Sequence, residues 1–212
     1  MKWISGILAA GPQFYLAWLL LQVWIDPASI ENGAWVRLGV GLMALEFILV
    51  HSGVFIASLA CAKISTIKKL VSFTGLALFY SAFAWAFSTS LGGMSLLKVY
   101  GFVMAGRLSF ILSGVDEAAQ KRAIGMSALS VLIYLLMIFA SVLFSWPEMG
   151  LTFEMVQKFY PDHGGGLWEQ EPHRAIGAAV VYFALMGFFE LITPRAAQSN
   201  QSATSNGHKP LK

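Results

Sequence analysis

Apart from Arg37 and Lys98 near segment ends, four ionisable side chains lie inside long apolar segments of the sequence, where they could carry protons or bind ions. A charge near the centre of a bilayer costs roughly 2.5–3.5 kcal/mol on insertion scales. A side chain that stays there therefore needs a role, either in an ion or proton path or in a polar network between helices. The four residues are Glu46, His51, Arg107 and Glu190.

Glu46 is the most deeply placed of the four. It lies about 12 residues into its segment, or roughly 18 Å along a helix, which is near the midplane of a bilayer. Gly39, Gly53 and Ala57 share its stripe at 100° per residue. Small residues let helices approach closely in lipid, so we expect Glu46 to face another helix. It would serve there as a proton carrier or as a hydrogen-bonding group between helices.

Three tyrosines reach a similar depth and are candidate partners for Glu46. Tyr80, Tyr134 and Tyr182 each fall about 8–10 residues into a segment, or roughly 12–15 Å. A phenol in hydrocarbon needs a hydrogen-bond partner. We therefore predict an internal polar cluster in which Glu46 touches at least one of these tyrosines or Arg107.

His51 lies about 140° around the helix from Glu46, so the two should not bind one ion together. Hydrogen bonding between helices is the simplest role for His51. Arg107 and Glu190 both fall in the inner half of the membrane, where they could pair, or Arg107 could extend to the inner headgroups. His51 is the one histidine inside a predicted span, which excludes a haem held by two membrane histidines of one chain. We predict no cofactor.

The segment Trp146–Arg174 is predicted to be a long outer loop. Leu151, Met155 and Phe159 recur every four residues, which predicts a short amphipathic helix lying on the membrane and ending at Pro161. Histidines and carboxylates follow, and such groups together can bind a divalent metal. Their spacing matches no zinc motif, so we expect a solvated acidic loop without a metal. These residues are Asp162, His163, Glu169, Glu171 and His173.

Six segments are long and apolar enough to position these groups as membrane helices. A helix needs about 20 mainly apolar residues to cross a bilayer, and barrel strands would alternate with period two instead. The sequence therefore predicts an all-α fold, a polytopic membrane helix bundle with six transmembrane helices in residues 1–193. The segments are Ile4–Ile25, Trp35–Ala62, Leu70–Ser88, Leu96–Gly114, Ile124–Ser145 and Ala175–Thr193.

The overall composition agrees with a membrane protein. Of 212 residues, 57% are hydrophobic and 12% are charged, against about 25% charged in a typical soluble domain. Mean hydropathy is +0.67. These values exclude a disordered chain, a collagen and a nucleic-acid binder, and the single Cys61 excludes a disulfide framework. The predicted partners are the lipid bilayer and other membrane subunits. The tail 194–212 lacks aromatic residues and is expected to be a disordered cytoplasmic extension.

The distribution of basic residues predicts the orientation. With the N-terminus inside, nine lysines and arginines fall on the inner side and two on the outer side. Cytoplasmic loops carry such an excess, so we expect both termini in the cytoplasm and a multi-pass protein of the plasma (inner) membrane. The pI of about 9.0 then reflects basic loops that face anionic lipid.

Two patches of the sequence resemble an uncharacterised family of small prokaryotic multi-pass membrane proteins, a domain of unknown function. The resemblance implies a bacterial or archaeal plasma membrane and brings no activity. Members often carry a second histidine near the first, whereas Ala44 stands one stripe position before His51, which argues against a histidine-pair metal site. The patches are Glu46 with His51–Ile56, and Trp168–Arg174 with Val181–Phe183 and Glu190.

Two functions remain open from the sequence. There is no H-E-x-x-H or G-x-S-x-G motif, and Cys61 lies beside Lys63 at the inner interface, so an enzyme is disfavoured. The first function is a non-enzymatic membrane component whose buried polar groups serve packing. The second is a small proton-linked transporter or channel in which Glu46 titrates. A dry, fully packed bundle would favour the first, and a continuous water-accessible cavity that reaches Glu46 would favour the second.

Overall fold

The computed structural model describes residues 2–112, 117–161 and 165–193, and none of these residues lies in a strand. The predicted all-α fold is confirmed over this part of the chain. The helices are α1 Lys2–Ile25, α2 Ala34–Cys61, α3 Thr66–Phe87, α4 Met94–Leu112, α5 Glu117–Leu143, α6 Phe153–Phe159, α7 Leu167–Gln170 and α8 Pro172–Ile192. A 3₁₀ turn precedes α2 and a π-helical turn follows α3.

Five helices of the described residues are long and apolar enough to cross a membrane, namely α2, α3, α4, α5 and α8. The helix α1 has 24 residues but is not among these five. The six-span count therefore stays a prediction. The predicted tail, residues 194–212, lies outside the described residues.

The helix α2 is the centre of the bundle. It packs against α3, α4, α5 and α8, and it is the most buried of the five candidate spans. One group of buried side chains joins α1, α2, α5 and α8, and a second joins α2, α3 and α4. Because α2 contributes to both groups, polar residues on its different faces reach different neighbours.

The connection after α5 packs on the protein. The backbone N–H of Gly150 donates to the carbonyl of Trp24 at 3.0 Å, and Leu151 is 1% exposed. Phe159 lies over Gly33, where a Cβ would come within 2.2 Å of its ring. The predicted short helix exists as α6, but the prediction that Leu151 and Phe159 hold it on the membrane is wrong. These two side chains are used to dock the segment onto α1 and the start of α2.

Candidate functional site

A cavity of about 290 Å³ lies beside Glu46. It is surrounded by residues of α1, α2, α4, α5 and α8, so most of the bundle contributes to it. Four of the intramembrane candidates line it, namely Glu46, Arg107, Tyr182 and Glu190. The remaining walls are polar at Gln13, Ser127 and Ser130 and otherwise formed by Leu49, Val50, Gly53, Met126 and Met186.

Glu46 accepts a hydrogen bond from the hydroxyl of Tyr182 at 2.6 Å, which confirms the predicted contact. The close approach of α2 and α8 brings the two side chains together. A Cβ at Gly39 would lie 3.1 Å from Leu20 and 3.2 Å from Ile176, so glycine lets α2 pack tightly between α1 and α8. The small-residue stripe that contains Glu46 therefore does face neighbouring helices.

Tyr134 supports this pair from α5. Its ring meets the ring of Tyr182 edge-on, with the centroids 5.8 Å apart. Its hydroxyl donates to the backbone carbonyl of Met43 at 2.8 Å. Both tyrosines are almost fully buried. Tyr134 thus holds the ring of Tyr182 in place without touching Glu46 through a hydrogen bond.

Arg107 reaches across from α4 to α2. Its Nη1 donates to Ser52 Oγ and its Nη2 to the carbonyl of Leu49, both at 2.5 Å. Within the described residues it forms no ion pair, and the suggested pair with Glu190 is not formed. The guanidinium is held at the middle of α2 and faces the cavity, so it does not extend to the inner headgroups.

Glu190 binds a different arginine. Arg122 Nη2 donates to Glu190 Oε2 at 2.6 Å, and each side chain is about one-fifth exposed. Arg122 lies just outside the predicted membrane segment, which begins at Ile124. The helix α5 begins earlier, at Glu117, and this carries Arg122 into the bundle. A basic residue only two residues before an apolar run is the signal that could have indicated this pair.

Gln13, Ser127 and Ser130 are cavity residues that the sequence analysis missed. Their side chains are uncharged, so the free-energy cost of placing them in a membrane is smaller than that of a charged residue. That cost did not mark them as candidate site residues. Ser130 donates to the carbonyl of Ser127 at 2.8 Å. Gln13 Oε1 is buried without a hydrogen-bond partner among the described residues. An unpaired buried acceptor indicates that a donor from a solute or water belongs there.

His51 and Tyr80 do not line the cavity. The Nδ1–H of His51 donates to the carbonyl of Phe47 in its own helix at 2.7 Å, and its ring packs against the Phe47 ring at a tilt of 45°. Among the described residues, the expected bond from His51 to another helix is therefore not formed. Tyr80 meets Phe79 edge-on with the ring centroids 5.2 Å apart, and it packs against the α2–α3–α4 group.

The outer-loop candidates are not gathered into a metal site in the part of the chain that the structure describes. Asp162 and His163 lie outside the described residues. Glu171 accepts a hydrogen bond from Arg174 and lies 3.8 Å from Nε2 of His173, which is buried at the start of α8. Glu171 therefore has local partners at the start of α8 that account for its position without a metal ion.

Glu169 caps the turn at α7 and faces a second cavity. It accepts hydrogen bonds from the N–H of Gly166 at 3.1 Å and from the hydroxyl of Tyr160 at 3.5 Å. Burial and the charge of Glu169 together raise the pKa of Tyr160. The second cavity, of about 640 Å³, is largely apolar, and Tyr134, Phe47 and Trp168 contribute to its wall.

Comparison of the chain with family models, curated proteins and solved structures finds no match. The function is therefore inferred from the geometry of the site. A carboxyl group hydrogen-bonded to a phenol can take up and release a proton, and an arginine beside it can hold an anionic or polar group. The polar cavity thus has the chemistry to bind a proton together with a small solute.

Proposed function

We propose that this chain is a small proton-linked membrane transporter whose solute site is the polar cavity beside Glu46. The cavity of about 290 Å³ is the observation that carries the proposal. A membrane component in which Glu46 served only packing is expected to close around that residue. Here a titratable carboxyl group adjoins an open polar space, which favours transport over a purely structural role.

Glu46 is the proton carrier in this proposal. Tyr182 donates to its carboxylate, and a donor of this kind stabilises the ionised form. When Glu46 takes up a proton, its own O–H becomes a donor that can bind a solute oxygen in the cavity. Binding of the proton and binding of the solute are then coupled through one side chain.

The topology proposed with this function has six spans across a bacterial or archaeal plasma membrane. Both termini lie on its cytoplasmic side. The 24-residue apolar helix α1 supports a sixth span, because it packs along α8, one of the five candidate spans. The basic inner loops and the resemblance to prokaryotic membrane proteins support the membrane and the orientation. Lipid, and other membrane subunits, are the proposed partners.

Proton flux into liposomes tests the function. Purified protein is reconstituted with a pH-sensitive dye inside, and small neutral, anionic and cationic solutes are added outside one at a time. We expect at least one class to drive proton entry in the wild type, and Glu46→Gln to lose this flux by about tenfold or more, since the carboxyl is its proton acceptor.

Glu154→Gln is the matched control, because Glu154 is an exposed carboxylate on α6, away from the cavity. This variant should keep the wild-type flux. If no solute drives proton entry, or if Glu46→Gln transports as well as the wild type, the proposal is wrong.

A further inference from the structure

A third cavity adjoins the polar cavity and shares its Arg107 side. Its volume is about 270 Å³. Gly53, Arg107 and Ser127 line both spaces, and we call these three residues the junction. The guanidinium of Arg107 therefore stands between two cavities, one that contains Glu46 and one that extends along α2 towards Ala57.

The absence of a side chain at Gly53 leaves the backbone of α2 bare at the junction. A Cβ at this position would lie 3.1 Å from Arg107 Nη2 and 3.5 Å from Ser127 Oγ. A guanidinium nitrogen and a hydroxyl thus face the same stretch of open backbone. Any larger residue would press on the guanidinium and the hydroxyl and displace them from the positions in which they line both cavities.

The charge of Arg107 is not matched by an ion pair within the described residues. Two of its five N–H donors are used, on Ser52 Oγ and the Leu49 carbonyl. Glu190 is bound to Arg122. Glu46, which is hydrogen-bonded to Tyr182, attracts Arg107 across the cavity without forming an ion pair with it, and this attraction is lost when Glu46 takes up a proton. A fixed guanidinium with unused donors binds a carboxylate well, because the two planar groups can form parallel hydrogen bonds.

The walls indicate what is attached to that carboxylate. Leu49, Val50 and Met186 line the polar cavity, and Ile56 and Val103 line its neighbour. These side chains suit a short hydrocarbon group, which a purely inorganic anion lacks. Cavities of this size are at the lower end of those that hold ligands, so the ligand is small.

We propose that the junction binds the carboxylate of a small monocarboxylic acid with a short apolar chain. Arg107 and Ser127 donate to its oxygens, and Gly53 lets the guanidinium lie close against α2 in the position that faces both cavities. Its role as the transported solute rests on the proposed function, since Glu46 would carry the accompanying proton and keep the transfer electrically neutral. Binding itself does not depend on transport.

Binding of radiolabelled butyrate to purified protein in detergent tests the junction directly. We expect saturable binding, weakened about tenfold or more by Gly53→Ala and by Ser127→Ala, because the first intrudes on the guanidinium and the second removes a donor to a charged group. Gly101→Ala on α4 is the matched control, since nothing lies within 4 Å of a Cβ there. This variant should bind as the wild type does.

Arg107→Lys keeps the charge but loses the planar fork, and it should also weaken binding about tenfold. Thermal unfolding of each variant shows whether it is folded. If Arg107→Lys is not folded, Gly53→Ala and Ser127→Ala still test the site, because neither variant replaces Arg107. Equal binding of butylamine, displacement by sulfate at equal concentration, or unchanged binding in both Gly53→Ala and Ser127→Ala would overturn the assignment. Butyrate binding without proton flux contradicts the transporter and keeps the site, whereas Glu46-dependent flux without butyrate binding contradicts the site alone.

Discussion

The hydroxyl of Tyr182 donates a hydrogen bond to Glu46, although the two residues are 136 positions apart in the sequence. Depth along each helix was enough to predict a contact of this kind, because both residues fall near the middle of an apolar segment. Depth did not distinguish Tyr182 from Tyr80, which reaches a similar depth but packs against the α2–α3–α4 group. Depth gives a residue's height in the membrane, and only helix packing decides which neighbour it meets.

Tyr182→Phe should lower Glu46-dependent proton flux in liposomes by roughly tenfold, because a hydrogen bond to a charged group contributes about 1.5–3 kcal/mol. Tyr15→Phe removes a hydroxyl from a tyrosine that is 59% exposed on α1, and it should transport normally. Wild-type flux in Tyr182→Phe would show that the phenol does not assist proton transfer at Glu46.

The Arg122–Glu190 pair is expected to contribute to stability. Glu190→Gln should lower the free energy of unfolding by about 1–3 kcal/mol, because it leaves a largely buried arginine without its charge partner. Adding Arg122→Gln should recover most of the loss, since two amides can hydrogen-bond. Thermal unfolding in detergent measures both variants.

Glu117→Gln is the control for that pair, because the Lys121–Glu117 pair on the same helix is exposed on both sides. Exposed pairs contribute little, so the unfolding temperature should not change. A Glu190→Gln protein as stable as the wild type would contradict a structural role for the ion pair.

At the scale of elements, α6 shows how a correct pattern can be assigned to the wrong environment. The i, i+4, i+8 repeat of Leu151, Met155 and Phe159 predicted an apolar face. It could not distinguish a membrane surface from the surface of the protein, since both are apolar. The deciding feature is Gly33, whose φ of +85° turns the chain at the start of α2 and leaves room for Phe159.

Gly33→Ala should therefore disrupt the contact between Phe159 and the start of α2. A Cβ there would be 2.2 Å from the Phe159 ring, and the backbone is left-handed, so we expect a loss of about 2 kcal/mol or more. Gly75→Ala on α3 meets open space and should be neutral or slightly stabilising. Equal unfolding temperatures for the two variants would show that α6 does not depend on Gly33.

Much of the element pattern could be predicted from sequence, because long apolar runs with polar breaks permit few alternatives to helices. The ends were less certain, as α5 shows by starting at Glu117 when its apolar run begins at Ile124. That shift of two helical turns brought Arg122 to Glu190. The cavity also required the fold, since no single segment contains its uncharged walls at Gln13 and Ser130.

At the scale of the whole molecule, the polar groups are concentrated around α2 while large apolar side chains remain on the outside. Phe102 is 83% exposed and Ile67 is 74% exposed, on helices that are long and apolar enough to span a bilayer. Such surfaces match lipid better than water. The arrangement is that of a membrane bundle which keeps its polar site inside.

The orientation of this bundle can be tested at two exposed positions separated by α5. Ala118 lies in the first turn of α5, and Gly165 lies in the connection that follows it. In a Cys61→Ala background, a membrane-impermeant maleimide should label Gly165→Cys on intact cells and Ala118→Cys only after permeabilisation, because basic loops stay in the cytoplasm. A helix of 27 residues is about 40 Å long and can separate the two sides. Labelling of both positions from outside, or of Ala118→Cys alone, would contradict an outer loop at 146–174 and cytoplasmic termini.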